Sequence, residues 1–166
     1  DNFDIPMMNA KFITAGLIPP SPYRTIDTLK IAYKVAKFTK NKLDYLGKIF
    51  NLGRKTETEY QLWLDCMKGN EAALDYMDKY NRQDVQLLED VYLRLRPWMR
   101  NHPSISSYSG HSEACPSCGT HGTMELLDKK YIANVQSYDA YRCSNCGAIV
   151  RERTPNKDVI VGQYMS

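Results

Sequence analysis

The chain has 166 residues, of which 43% are hydrophobic and 25% are charged, and its formal net charge is +3. These proportions are typical of a soluble globular protein with one ordinary domain, or with a medium domain and a small one. No apolar run approaches the ~20 residues of a membrane-spanning helix, and no basic-then-apolar leader opens the sequence. We therefore expect a cytoplasmic protein that does not enter a membrane.

The first hundred residues show mainly the periodicity of amphipathic helices. Helices are predicted over residues 3–16, 28–36, 43–50, 59–68 and 71–80, and a last one is predicted to carry Val85, Leu88, Tyr92 and Leu95 on one apolar stripe. Asp4 and Asn70 are candidate N-caps. A single strand is predicted at residues 23–27. One short strand cannot form a sheet, and the chain does not begin with Met, so we expect a preceding N-terminal part against which these helices pack.

A Ser-rich segment, residues 101–112, contains few apolar side chains and predicts a linker. It divides a helical domain, residues 1–100, from a different region, residues 113–166. In that second region the pattern changes to short runs typical of strands, at residues 122–127, 140–142, 148–153 and 159–161.

Four of the five cysteines form two Cys-x2-Cys-Gly motifs, Cys115 with Cys118 and Cys143 with Cys146. The glycine after each pair tolerates the left-handed backbone of a tight turn. Four thiolates close a tetrahedral site with no open position, so we predict a structural Zn²⁺ ion. Two disulfides are the alternative. The 24 residues between the pairs fit a hairpin, and Cys66, in a helical pattern, is predicted to be a buried thiol.

Six lysines lie between residues 30 and 48, opposed only by Asp44, and Arg54 and Lys55 follow. Such a run is either a solvated face or a track for nucleic-acid phosphates. Lys34, Lys37 and Lys55 are the candidate contacts. Near the second cysteine pair the same two interpretations stay open for a further group of side chains: Tyr138, Tyr141, Arg142, Arg151 and Arg153.

Tyr80 and Asp84 are four residues apart, so in a helix they lie on one face, about one turn apart. The carboxylate can hold a hard cation and the phenol can orient a water molecule. The spacing is common in helices by chance, so a helix-surface pair is the alternative. Asp4 is a second candidate carboxylate, with the N-cap role as its alternative.

Residues 3–6, Phe-Asp-Ile-Pro, resemble the second motif of the DEDD exonucleases, and residues 80–84 resemble their third motif in its tyrosine form. Residues 26–29, 43–46 and 62–64 resemble a bacterial and phage branch of ribonuclease-H-like nucleases that often ends in a zinc module. The resemblance implies the C-terminal, mostly helical part of an α/β ribonuclease-H-like fold, followed by a small β-rich zinc ribbon. The implied activity is 3′–5′ exonuclease cleavage of DNA or RNA in a bacterium or a phage-infected cell.

The same resemblance implies that Asp4 and Asp84 bind two Mg²⁺ or Mn²⁺ ions, that Tyr80 orients the attacking water, and that Asp27 is structural. The family's first motif, Asp-x-Glu, has no counterpart here. We therefore expect an N-terminal segment or a companion chain to supply it, and we expect this chain alone to be catalytically incomplete. The alternative is a non-catalytic, zinc-dependent nucleic-acid-binding module.

Overall fold

The computed structural model describes residues 3–53, 58–133 and 135–157. The chain divides into two compact units, Asp1–Tyr92 and Leu93–Ser166. The described part of the first unit has helices but no strand, and the second unit contains small antiparallel sheets, so the chain is mixed α/β. Within these residues, no helix is both long enough and apolar enough to span a membrane.

The helices of the first unit are α1 (Asp4–Thr14), α2 (Thr28–Val35), α3 (Leu43–Ile49), α4 (Tyr60–Met67) and α5 (Glu71–Leu95), the last of which continues into the second unit. The first four lie where the sequence predicted helices. The strand predicted at residues 23–27 is wrong, because these residues form no strand. An alternating pattern does not form a strand without a neighbouring strand to accept its hydrogen bonds.

The ends of two helices show what their acidic residues do. Asp27 is the N-cap of α2, and its Oδ1 atom accepts a hydrogen bond from the Lys30 backbone N–H at 3.1 Å. The N-cap role considered for Asp4 is wrong. Phe3 occupies the N-cap position of α1, and Asp4 is the first residue inside the helix. A carboxylate in the first helical turn still interacts favourably with the helix dipole.

Helix α5 is a single helix of 25 residues, although the sequence predicted two helices here. Its start is as predicted: Asn70 Oδ1 accepts a hydrogen bond from the Ala73 backbone N–H at 3.1 Å. The predicted stripe is partly wrong, since Val85 is 66% exposed and Leu88 is 41% exposed. The buried residues of this helix are Ala73, Tyr80, Leu87, Val91 and Leu95. Their spacings of four and seven residues place them on one face.

Helices α3 and α5 make a close approach at Gly47. A Cβ atom at Gly47 would lie 2.8 Å from Leu87 Cδ1 and 2.9 Å from the carbonyl oxygen of Gly53. Leu46, beside it, is buried. Helix α1 contributes no buried residue to the core of the first unit. It leaves large apolar side chains such as Ile13 exposed.

The second unit is built from very short elements. After a 3-10 helix, Arg96–Trp98, and helix α6, Ser106–Ser109, the strands are β1 (Met124–Leu126), β2 (Tyr131–Ala133), β3 (Gln136–Tyr138), β4 (Ala140–Cys143) and β5 (Ile149–Arg151). Strands β1, β4 and β5 form one antiparallel sheet in the order β1-β4-β5, and β2 pairs with β3 as the expected hairpin. The strand predicted at residues 159–161 lies outside the described residues.

The segment that the sequence suggests as a linker packs against the first cysteine turn. The Ile105 backbone N–H donates to the Pro116 carbonyl oxygen at 2.8 Å. The Ile105 side chain lies so close to Gly119 that a Cβ there would be 2.9 Å from its Cγ2 atom. Residues 101–112 are therefore part of the fold of the second unit.

Candidate metal centre

The four paired cysteines meet at one point in the second unit. Cys115 and Cys118 precede β1, Cys143 ends β4, and Cys146 lies in the turn before β5. Their sulfur atoms all lie within 4.8 Å of one another. In residues 3–53, 58–133 and 135–157, this is the only group of three or more His, Cys, Asp or Glu side chains placed to hold a metal ion. The cluster can hold a metal such as zinc.

The distances between the sulfur atoms fit a tetrahedral ion. Cys115 Sγ lies 3.8 Å from Cys146 Sγ, and Cys118 Sγ lies 3.7 Å from Cys143 Sγ. A tetrahedron with metal–sulfur distances of about 2.3 Å has sulfur–sulfur edges of about 3.8 Å. A disulfide would need about 2.05 Å. All four cysteines are free in this structure, so the disulfide alternative does not describe it.

The two cysteine turns have the same backbone geometry. Gly119 and Gly147 have φ angles of 77° and 76°, in the left-handed region that the sequence analysis expected. The N–H of each glycine donates to the carbonyl of the first cysteine of its pair, Cys115 or Cys143, at 2.8 Å. Each turn therefore brings the two cysteines of its pair close together, in the same backbone conformation.

Polar groups around the sulfur atoms stabilise negative charge. Thr123 Oγ1 lies 3.1 Å from Cys143 Sγ, and the Asn145 side-chain amide donates to Cys118 Sγ at 3.6 Å. The Asn145 amide also donates to Thr120 Oγ1 at 2.9 Å. Such partners orient the ligands of a metal and increase the thiolate character of the sulfur atoms.

The thiols differ in acidity because these contacts are uneven. Burial raises the pKa of Cys115 to about 12. Burial acts in the same direction at Cys118, but hydrogen bonds with Thr120 and Asn145 outweigh it and lower its pKa to about 6. Burial and hydrogen bonds likewise oppose each other at Cys143, and its pKa is lowered. These contacts therefore make Cys118 and Cys143 more acidic than an ordinary thiol, and the thiolate is the form that binds a cation.

Three further side chains of metal-binding type, His111, His121 and Cys66, are not in the ligand group. His111 and His121 contact each other, with ring centroids 5.5 Å apart, but they are not part of the ligand group. Cys66 was expected to be buried and is half-buried, and its thiol donates to the Ala73 carbonyl oxygen at 3.3 Å.

The residues predicted to be catalytic, Asp4, Tyr80 and Asp84, differ in how exposed they are. Tyr80 is 8% exposed, Asp84 is half-buried with a shielded Oδ1 atom, and both lie on the buried face of α5. Asp4 is exposed in the first turn of α1. Neither carboxylate belongs to a group of three potential metal ligands in the described part of the chain. By themselves, the described residues do not form the oxygen cluster that Mg²⁺ or Mn²⁺ prefers.

The candidate nucleic-acid contacts of the first unit are only partly described. Lys34 and Lys37 are exposed, and Lys55 lies outside the described residues. The sequence between residues 1 and 92 has 13 basic and 13 acidic side chains, whereas residues 93–166 have 9 basic and 6 acidic ones. The whole net charge of +3 therefore belongs to the second unit, a balance that the local run of lysines does not reveal.

The second unit also contains a cleft of about 720 Å³ that the sequence analysis missed. Arg100 and His102 line it from the segment before α6, Tyr131 lines it from β2, and Arg151 lines it from β5. These residues are up to 51 positions apart in the sequence. A pattern of local spacing cannot show that residues so far apart line one cleft. The sequence analysis named Arg151 as a possible nucleic-acid contact, but it did not place it with Arg100 or Tyr131.

Comparisons with known proteins give no match: no family model matches the chain, and neither does a curated protein or a solved structure. The likeness of residues 3–6 and 80–84 to exonuclease motifs therefore stays a resemblance.

Proposed function

We propose that residues 113–166 contain a structural zinc ribbon and that the protein binds nucleic acid through the second unit, to which this ribbon belongs. The observation that carries the zinc assignment is the set of sulfur–sulfur distances, 3.7 and 3.8 Å between the two turns. Four sulfur ligands leave no open position for substrate, so the ion would stabilise the fold and take no part in chemistry. Nucleic acid is the proposed partner because this unit carries the net positive charge.

The exposed surface of the ribbon supports that partner. Arg142 on β4, Arg151 on β5 and Arg153 just beyond it are all exposed. Arginine pairs with phosphates and stacks on bases, and tyrosine offers a further stacking surface. Exposed Lys34 and Lys37 in the first unit would add contacts that depend on charge alone. DNA and RNA fit this surface equally.

Metal content and binding test the proposal together. The purified protein should contain one zinc ion per chain, Cys143→Ser should lose it, and the control Cys66→Ser should keep it. Single-stranded oligonucleotides should bind with an affinity that falls with salt, since neutralised phosphates release counterions. Changing Lys34 and Lys37 to Glu should weaken binding to all sequences alike. A metal-free protein, or binding that ignores salt, would contradict the proposal.

A second function, 3′–5′ exonuclease activity, is favoured by the placement of Tyr80 and Asp84. A phenol and a carboxylate share the buried face of α5, whose other buried residues are apolar. In the exonuclease interpretation, Asp84 and Asp4 supply two metal ligands and the Tyr80 hydroxyl holds a water molecule. The divalent ions would supply activation of that water. An N-terminal segment or a companion chain carrying Asp-x-Glu would complete the site and cover the exposed apolar residues of α1.

This second function has its own experiment. The chain alone should show negligible nuclease activity with Mg²⁺ or Mn²⁺, because two carboxylates hold these ions weakly. After addition of a segment that carries strands and an Asp-x-Glu motif, nucleotides should be released from a 3′ end. In that protein Asp84→Asn should abolish cleavage, and Tyr80→Phe should lower the rate without loss of metal binding.

The matched control is Asp90→Asn, which changes another half-buried carboxylate of α5 outside the motif. It should leave the rate close to that of the unchanged protein. Full activity of Asp84→Asn would show that this face of α5 is only scaffold.

A further inference from the structure

We propose that the cleft of the second unit binds the backbone of single-stranded nucleic acid, with phosphates at Arg100 and Arg151 and a base at Tyr131. This inference rests on the proposed function and names the site through which it is carried out. The cleft lies between the segment around Arg100 and the strand β5, so it belongs entirely to the second unit.

The charge of the lining is one-sided. Arg100 and Arg151 line the cleft, and no Asp or Glu among the described residues lines it. His102 also lines it, but burial lowers the pKa of its imidazole, so the two arginines carry the positive charge. The acidic residues of this unit that the structure describes all lie outside the lining: Glu113, Glu125, Asp128, Asp139 and Glu152. A concave surface lined by charge of one sign concentrates ligands of the opposite sign. The volume of about 720 Å³ also lies within the range of about 300–1,000 Å³ that is usual for ligand sites.

Arg151 is held in place before any ligand arrives. Its guanidinium carbon lies 3.9 Å from the ring centroid of Tyr138 and 5.8 Å from that of Tyr131. One of its N–H groups donates to the Glu152 carbonyl oxygen at 3.0 Å. A guanidinium has five N–H groups, so others remain for an anion. A cation that is fixed by stacking loses little side-chain entropy when it binds phosphate.

Tyr131 supplies the aromatic surface. It is 47% exposed, whereas the neighbouring Tyr138 is buried, with the two ring centroids 6.4 Å apart. The buried ring supports the arrangement and the exposed ring is accessible to a base. Stacking on an aromatic ring does not depend on base identity, but it requires an unpaired base. We therefore assign a single strand to this cleft rather than a duplex.

Ser117 adds a polar group at the base of the cleft. It is 7% exposed, and its Oγ atom has no hydrogen-bond partner within the described residues. A buried hydroxyl without a partner is unfavourable, and a ligand oxygen or amide that reaches it would remove that cost.

A peptide is the less suitable occupant. Among the described residues, strand β5 pairs only with β4, and its three residues line the cleft. However, β5 has three residues, which is too short for a stable added strand. The separate cations and the exposed ring match a sugar-phosphate chain with splayed bases better than they match a peptide ladder.

The experiment measures binding of a fluorescent oligothymidylate to the full chain with zinc bound, over a series of salt concentrations. Arg100→Glu and Arg151→Glu should each weaken binding by about tenfold and lower the slope of log K against log salt by about 1. Tyr131→Ala should weaken binding and leave that slope unchanged, since it removes stacking and no charge. The matched control is Lys129→Glu, which makes the same charge change on an exposed residue of the second unit outside the cleft lining.

The outcomes separate this inference from the proposed function. If the unchanged protein binds no oligonucleotide, the proposed function fails. If it binds but Arg100→Glu, Arg151→Glu and Lys129→Glu weaken binding equally, the proposed function stands and the cleft assignment is overturned. Zinc content of each variant shows whether the ribbon has folded. Arg100→Glu decides the matter if Arg151→Glu fails to fold. Equal binding of a duplex or of polyglutamate would also overturn the assignment.

Discussion

Among the described glycines of the first unit, Gly47 is the one whose missing side chain would meet neighbouring atoms within 4 Å. Glycine inside a helix is normally unfavourable by about 0.5–1 kcal/mol relative to alanine. Here the neighbours of its missing side chain are Leu87 Cδ1, at 2.8 Å, and the Gly53 carbonyl oxygen, at 2.9 Å. The leucine can shift but the backbone oxygen cannot easily do so. The close approach therefore outweighs helix propensity at this position.

We expect Gly47→Ala to lower the free energy of unfolding by about 1–3 kcal/mol, because the added methyl group overpacks the contact. Chemical denaturation monitored by circular dichroism measures the change. In a double-mutant cycle, Gly47→Ala should cost less in a Leu87→Ala background than in the unchanged protein, because the shortened side chain no longer meets the methyl group. The part of the cost due to the Gly53 carbonyl oxygen should remain. If Gly47→Ala stabilised the protein, the helices would not meet as closely as described.

For single residues, the sequence predicted those roles that depend on neighbours close in the chain, and it failed for those that depend on packing between distant segments. The four metal-site cysteines were predictable, since two residues of spacing suffice to place two sulfur atoms on one turn. The burial of Tyr80 and the exposure of Val85 could not be predicted from the sequence, because apolar residues occur on more than one side of α5. Only the packing partner decides which side is buried.

The bounds of helix α5 were also predicted only where they depend on local contacts. The sequence suggested a break after Tyr80, where polar residues dominate. The structure continues the helix through this stretch, and Arg82 pairs with Asp78 at 2.7 Å, one turn earlier. Pairs at this spacing favour the helix by about 0.2–0.5 kcal/mol. The start of α5 was predictable because the capping bond of Asn70 is made within three residues.

Asn70→Ala should destabilise the first unit by about 0.5–2 kcal/mol, because the first turn of α5 loses an acceptor for the Ala73 N–H. The matched control, Asn70→Asp, keeps the acceptor and should stay close to the unchanged protein. Thermal unfolding followed by circular dichroism provides the measurement. An equal loss for both variants would mean that the cap contributes nothing.

For the whole molecule, the two units differ in what stabilises them. The buried residues of the second unit are mostly small side chains and cysteines, such as Ala114, Ala140, Ala148 and Cys115. A core of this kind buries little apolar surface, so a metal bound at the cysteine cluster would supply much of the folding free energy. The first unit has no such cluster in its described residues. The ribonuclease-H-like topology could be suggested only by motif resemblance, since these residues include no strand.

Chelation should therefore act on one unit. After treatment with a strong zinc chelator, we expect backbone amides of residues 115–151 to exchange hydrogen rapidly, while amides around Leu46 and Leu87 keep their protection. Hydrogen exchange followed by mass spectrometry resolves the two regions. Cys143→Ser should show the fast exchange without chelator. Uniform protection after metal removal would mean that the ribbon folds without the ion.

In the proposed zinc ribbon, four thiolates form one closed zinc site. X-ray absorption at the zinc edge of the purified protein measures the number and distance of the ligands directly. We predict four sulfur atoms at about 2.3 Å and no nitrogen or oxygen ligand. Fewer than four sulfur ligands, or a light-atom ligand at about 2.0 Å, would contradict the closed site and the structural role assigned to the ion.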